Sequence, residues 1–264
     1  MNRIDKKFKE LKKKKRKAFI AYLTAGDPSL SVTKDLVLAL EKAGVDIVEL
    51  GIPFSDPMAD GPTIQAASQR ALSHHVTLDK IFGLVKEIRK YSQIPLAFMS
   101  YYNPVFHFNE KRFVQKAKAV GIDGLIIPDL PPEEGRDLLK LARAEKMSLI
   151  FFLAPTTTLA RMKYIVQKST GFIYYVSLTG VTGARKELPS DLIRNVKIAK
   201  RLTDKPVCVG FGVSQGAQIQ MISKIADGVI VGSAIIKEIE KNKGKRDLVN
   251  NVSRFVTQLT AHLK

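Results

Sequence analysis

Short apolar runs alternate along this chain with longer segments whose apolar residues recur every three or four positions. The first run is Phe19 to Thr24. After Asp27-Pro28-Ser29, a helix start signal, a periodic segment continues to Ala43 and stops at Gly44, and a second run follows at Asp46 to Leu50. Such runs predict strands, and such periodicity predicts helices. The unit then repeats, with strands at Leu96 to Ser100, Gly124 to Ile127, Leu149 to Leu153, Phe172 to Val176, Val207 to Gly210 and Gly228 to Val231. Helices are predicted at Leu78 to Tyr91, Glu110 to Val120, Glu133 to Glu145, Leu159 to Lys168, Asp191 to Leu202 and Gln215 to Ile222. A closing helix carries Leu248, Val252, Phe255, Val256, Leu259 and Leu263 on one stripe. Eight strands, each followed by a helix, predict a parallel sheet covered by helices, and 264 residues is the size of one closed (β/α)8 barrel of the TIM type, a single domain over 1–264. An open doubly wound sheet is the alternative. Ile4, Phe8 and Leu11 stand at helical spacing before the first strand, so residues 1–17 are expected to form an extra basic helix capping one end of the barrel.

Composition narrows the class. Hydrophobic residues make up 45% and charged residues 26%, the balance of a folded globular protein rather than a disordered one. No run approaches the ~20 apolar residues that span a bilayer, and the basic start cannot hold a signal-peptide apolar region, so a cytoplasmic location is expected. The single cysteine, Cys208, lies inside an apolar run and reads as core. The formal charge of +18 invites a nucleic-acid reading, but Met1 to Lys17 alone carries ten basic and two acidic residues, and the rest is spread over helices with acids interleaved. No aromatic residue interrupts Lys12 to Lys17 to stack on bases, so a solvated helix end is expected and neither nucleic acid nor membrane as a partner.

Candidate chemistry sits after the strands. Alternation along Asp46-Ile47-Val48-Glu49-Leu50-Gly51 puts Glu49 on the face of Ile47 and Gly51, an acid among apolar neighbours. If that face is the barrel interior, desolvation raises its pKa and suits it to proton transfer; a salt-bridged structural glutamate is the other reading. The following connection, Ile52 to Pro62, is longer than an ordinary βα loop and contains Asp56 and Asp60, either of which could instead serve turn geometry. A second long connection, Leu178 to Pro189, has the composition of a closing lid. Gly210-Phe211-Gly212 after the seventh strand and Gly232-Ser233 after the eighth stand where barrels cradle phosphate. The four histidines show no ligand spacing, and no GxGxxG or Walker-type loop occurs, so no metal and no nucleotide cofactor is expected.

Together these segments resemble the tryptophan synthase alpha chain family over nearly the whole sequence. Val48-Glu49-Leu50-Gly51-Ile52-Pro53-Phe54-Ser55-Asp56-Pro57-Met58-Ala59-Asp60-Gly61-Pro62 carries the likeness most strongly. Ala21-Tyr22-Leu23-Thr24-Ala25-Gly26-Asp27-Pro28, Met99-Ser100-Tyr101-Tyr102-Asn103-Pro104, Ile127-Pro128-Asp129-Leu130-Pro131 and Thr179-Gly180-Val181-Thr182-Gly183 extend it. The resemblance implies cofactor-free, reversible cleavage of indole-3-glycerol phosphate to indole and glyceraldehyde 3-phosphate. It gives Glu49 the proton transfers at carbon and at the side-chain hydroxyl, and Asp60 the ring N–H. It further implies that Tyr22 and Tyr174 line the indole pocket, with Tyr175 an adjacent alternative to the latter, and that Thr182, Gly183, Gly212, Gly232 and Ser233 bind substrate and its phosphate. Leu178 departs from the arginine that many members carry before the lid motif. The implied partner is a pyridoxal-phosphate beta chain, in a tetramer of two alpha and two beta chains, facing Asp56, Tyr102, Asn103, Asp129 and Pro131. A stand-alone lyase releasing free indole is the enzyme alternative.

Overall fold

The computed structural model describes residues 1–177, 188–210 and 212–263. Helix α1 (Arg3–Lys13) is followed by β1 (Ala18–Thr24), α2 (Leu30–Lys42), β2 (Ile47–Gly51), α3 (Pro62–Ser73), α4 (Leu78–Arg89), β3 (Leu96–Met99), α5 (Tyr102–His107), α6 (Glu110–Val120) and β4 (Gly124–Ile126). The second half runs α7 (Arg136–Ala144), β5 (Ser148–Ile150), β6 (Phe152–Leu153), α8 (Leu159–Lys168), β7 (Ile173–Val176), α9 (Ser190–Leu202), β8 (Val207–Gly210), α10 (Gly216–Ser223), β9 (Gly228–Val231), α11 (Ser233–Asn242) and α12 (Leu248–Thr260). All pairings are parallel, in the order β5-β4-β3-β2-β1-β9-β8-β7-β6. The two ends of that order, β5 and β6, are separated only by Phe151, and side-chain parity continues through the break: Ile150 and Phe152 pack in the inner cluster, Leu149, Phe151 and Leu153 in the outer one. They are one strand in two pieces, and the sheet closes on itself as the expected eight-stranded barrel.

The apolar pattern divides accordingly. One core lies between the sheet and the helices; a smaller one fills the lumen with Ile20, Ile47, Ala97, Ile126, Ile150, Tyr174, Cys208 and Ile230. Helix α1 plugs the floor of that lumen. Asn2 and Asp5 cap its start reciprocally, which fixes its first turn, and Ile4, Phe8 and Leu11 all join the inner cluster, Phe8 lying 5.8 Å from the Phe172 ring. At ~1.5 to 3 kcal/mol for each buried side chain, the plug contributes on the order of 5 kcal/mol.

The same end explains part of the basic N-terminus. Three aspartates just before β2, β4 and β9 each accept from a backbone N–H at the start of a neighbouring strand: Asp46 from Phe19 at 2.9 Å, Asp123 from Leu96 at 3.1 Å and Asp227 from Val207 at 3.1 Å. Arg16 pairs with Asp46, Arg3 and Arg89 with Asp123, and Lys17 and Lys200 with Asp227. Arg3, Arg16 and Lys17 are therefore not merely a solvated helix end, as the sequence suggested; they balance carboxylates that tie strand to strand.

Helices α3 and α5 escaped the sequence pattern. The buried face of α3 is Ile64, Ala67, Ser68 and Ala71, too weakly apolar to register as a stripe, and α5 is a six-residue turn with a proline.

Candidate active site

At the C-terminal ends of the strands lies a cavity of about 760 Å³, walled by Tyr22, Met99, Phe152, Tyr174, Val176 and Ile230 and rimmed by residues 58–61, Gly212, Gly232 and Ser233. Its wall is mainly apolar and aromatic, with polar groups at two separate margins, the form of a small-molecule site.

Glu49 points inward from β2, directly paired in register with Tyr22 of β1 and Ala97 of β3. It is fully buried, does not reach the cavity surface, and neither carboxylate oxygen has a hydrogen-bond partner. Burial pushes its pKa up to about 8. A carboxyl group in this state is protonated at neutral pH and can give a proton.

Asp60 stands on the cavity rim, in the loop that joins β2 to α3. Burial raises its pKa as well, but here the hydroxyl of Tyr101 donates to the carboxylate and opposes the rise. The same hydroxyl accepts from the Ala59 N–H at 2.8 Å, and the Tyr101 ring packs 5.5 Å from Phe54, so one buried phenol holds both the loop leading into Asp60 and the Asp60 carboxylate. Tyr101 was not among the residues picked from sequence; an aromatic in a loop has no periodicity to betray it. Its signal was position, two residues beyond the end of β3.

Tyr22 receives a hydrogen bond from Thr24 Oγ1 at 3.3 Å and lies over Gly51, where a Cβ would stand 2.1 Å from the phenolic oxygen. Only glycine admits the ring there. Burial, then the charges of Asp60 and Glu49, hold this phenol above its usual range. Tyr174 occupies the facing wall, stacked on Phe152 at 4.6 Å, with Gly210 giving it room in the same way. Its neighbour Tyr175 faces the outer layer, where its hydroxyl accepts from Asn195 at 3.3 Å, so of the two tyrosines Tyr174 is the one in the cavity.

At the other margin Gly232 precedes α11, whose first turn has no side-chain cap, and Ser233 opens the helix. Uncapped N–H groups and the positive end of the helix dipole favour an anion. Gly212, at the mouth after β8, has a φ of +29° and open space around it. Thr182, Gly183 and Leu178, with most of the connection Leu178 to Pro189, lie outside the described residues.

The residues tied by resemblance to a partner share one rim, in the segments that follow β2, β3 and β4. Asp56 and Asn103 are exposed; Tyr102, Asp129 and Pro131 are half-buried, the Tyr102 N–H donating to Asp129 Oδ1 at 2.9 Å. Exposed Met58 and Phe106 add apolar surface to that rim. Among the described residues no group of three His, Cys, Asp or Glu could hold a metal ion, and no helix is long and apolar enough to cross a membrane.

The chain is similar to known proteins over nearly its full length. Residues 8–264 match the family model described as tryptophan synthase alpha chain. The chain is 48% identical over 262 residues to the tryptophan synthase alpha chain of Geotalea daltonii, covering 99% of this chain and 98% of that protein. It is 48% identical over 259 residues to that of Thermoanaerobacter sp. strain X514, covering 98% of each. Among solved structures, tryptophan synthase subunit alpha from Legionella pneumophila superposes with a TM-score of 0.92 at 37% identity, over 100% of this chain and 98% of that one. A chain of the tryptophan synthase α2β2 complex from Pyrococcus furiosus gives 0.87 at 40% identity, over 93% and 99%.

Proposed function

The chain belongs to the tryptophan synthase alpha chain family, and we propose that Glu49 and Asp60 are the two groups that carry its reaction, the cleavage of indole-3-glycerol phosphate to indole and glyceraldehyde 3-phosphate. The indole ring fits between Tyr22 and Tyr174, with its N–H toward Asp60 and the phosphate toward Gly212, Gly232 and Ser233. Cleavage begins with proton transfer from neutral Glu49 to C3 of the ring. That leaves a positive charge on the ring nitrogen, which the Asp60 carboxylate balances. The hydroxyl on the adjacent side-chain carbon then gives its proton to the Glu49 carboxylate, its electrons form the aldehyde, and the carbon–carbon pair returns to the ring. Glu49 ends protonated, as it began, and no cofactor is consumed.

The observation that carries this reading is the pair of contrasting acids. One carboxyl is sealed, unpartnered and lifted to about 8; the other is exposed to the cavity and held toward its charged form by Tyr101. Environments that separate two carboxyl groups are how acid and base roles are assigned. Glu49 must swing into the cavity to reach C3, and with no hydrogen bond holding it the rotation breaks none.

The rim of Asp56, Tyr102, Asn103, Asp129 and Pro131 is the docking face for a pyridoxal-phosphate beta chain, completing a tetramer of two alpha and two beta chains that works in the cytoplasm and turns the indole into tryptophan. The Pyrococcus furiosus protein assembles as such an α2β2 complex, and its activation is mutual. Steady-state indole release from indole-3-glycerol phosphate tests the assignment. Glu49→Gln and Asp60→Asn are each expected to lower kcat by ~10² or more. Wild-type turnover in both variants would refute it, and a rate that saturating beta chain leaves unchanged would remove the partner from the proposal.

A further inference from the structure

Two helices start at the cavity and are tied together well below it. Helix α3 begins two residues after Asp60, and the side chain of Gln65 in its first turn donates to the Asp60 carbonyl at 2.7 Å, so Asp60 moves with α3. Helix α11 begins with Ser233 at a second margin, and since only β1 stands between β2 and β9, α3 and α11 lie side by side. Farther along α3, Arg70 donates from Nε and Nη2 to the two carboxylate oxygens of Asp27, both at 2.8 Å, and from Nη1 to Glu240 of α11 at 3.0 Å. Asp27 is 2% exposed and lies in the turn that ends β1. A single guanidinium therefore joins the turn after the strand that bears Tyr22, the helix that follows Asp60 and the helix that opens at Ser233. At a rise of ~1.5 Å per residue, the arms from Pro62 to Arg70 and from Ser233 to Glu240 are each ~10 to 12 Å long, so the two helix starts are held by struts of similar length.

We propose that Arg70 is a positioning residue that sets the span between Asp60 and the first turn of α11, and thereby the length of substrate the site accepts. The proposal rests on the reading above, in which the ring nitrogen lies at Asp60 and the phosphate at α11. A ligand that touches both margins gains over its separate halves because its second contact is intramolecular, and that advantage exists only while the gap is held at the ligand's length. Loosening the strut takes away the advantage and leaves the contacts of each half as they were. A residue that merely keeps the protein folded has no such selectivity.

The test is calorimetric binding of three probes to wild type, Glu240→Gln and Arg70→Lys: indole, glyceraldehyde 3-phosphate, and 3-(indol-3-yl)propyl phosphate, which keeps the substrate's skeleton but lacks the hydroxyl that cleavage requires. Lysine cannot reproduce the forked contact with Asp27 and Glu240 together, so Arg70→Lys is expected to weaken the spanning probe on the order of 10-fold. Glu240→Gln, which leaves the Asp27 pair intact and changes an exposed side chain, is expected to weaken it by about 3-fold and to stay folded whatever becomes of Arg70→Lys. Both halves should bind the variants within about twofold of wild type, since their own contacts are untouched. Spanning and half probes that weaken in the same proportion, or a spanning probe unaffected in Glu240→Gln, would overturn the proposal. Wild type that binds neither half would sink the reading of the site itself, a result distinct from either of these.

Discussion

Glu49 offers a test that needs no substrate. In the unfolded chain its carboxyl titrates near the ordinary 4.5, and in the folded protein near 8, so folding takes up a proton between those values. The sign follows: stability contributed by this group is fully present below pH 4.5, declines as pH rises, and is lost once pH passes 8. At about 1.4 kcal/mol for each pH unit, the loss has a ceiling on the order of 5 kcal/mol, reached only if the ionised side chain stays sealed. Swinging into the cavity rehydrates it, so a loss of about 2 to 5 kcal/mol is expected. Glu49→Gln removes the titration and adds two amide donors to a site with no partner for them, costing about 1 to 3 kcal/mol at every pH. The variant should therefore be less stable than wild type at pH 5 and equal or more stable at pH 9. Urea unfolding of both proteins across that range measures the difference directly. Parallel stability curves would show that Glu49 is not held neutral by burial, and the proton-donor role would fall with it.

Three further outcomes are expected. Gly51→Ala places a Cβ 2.1 Å from the Tyr22 hydroxyl, so the ring must leave the wall between the two carboxylates; KM should rise at least tenfold and thermal unfolding show a loss of about 1 to 3 kcal/mol. Adding Tyr22→Ala to Gly51→Ala should recover part of that stability and none of the activity, checked by the same two measurements. Asp123→Ala leaves Arg89, a 9% exposed side chain, without its carboxylate and frees the Leu96 N–H, and should cost about 3 to 5 kcal/mol in urea unfolding while the cavity at the far end keeps its affinity for indole.

The barrel could be read from the sequence because its two signals are strong and separate: apolar runs of four to six residues, and helices whose apolar stripes return every turn. Glu49 was visible for the same reason, since alternation along five residues fixes its face. Where side chains are small the signal fails, as in α3, whose alanine-rich face hides a helix that follows Asp60 and bears Arg70 in its third turn. Tertiary pairs are invisible for a different cause. Asp27 and Arg70 are 43 residues apart, and nothing local distinguishes Arg70 from any other helical arginine. Between Tyr174 and Tyr175, adjacent residues of one type, only the barrel's parity decides.

Tyr101 shows what that gap conceals, because it explains why two carboxyl groups in one site behave differently. Both are raised by burial, yet Glu49 has no donor and Asp60 has one. Tyr101→Phe keeps the ring against Phe54 and removes only the hydroxyl, so the folded wall should survive. Without that donor the Asp60 pKa rises further, and the ionised form proposed to balance the ring nitrogen disappears at a higher pH than in wild type. The acid limb of the kcat/KM profile should shift upward in pH, while the limb set by Glu49, near 8, stays in place because Tyr101 gives Glu49 no hydrogen bond. A profile that shifts on both limbs, or on neither, would mean that Tyr101 shapes the loop without controlling the charge of Asp60.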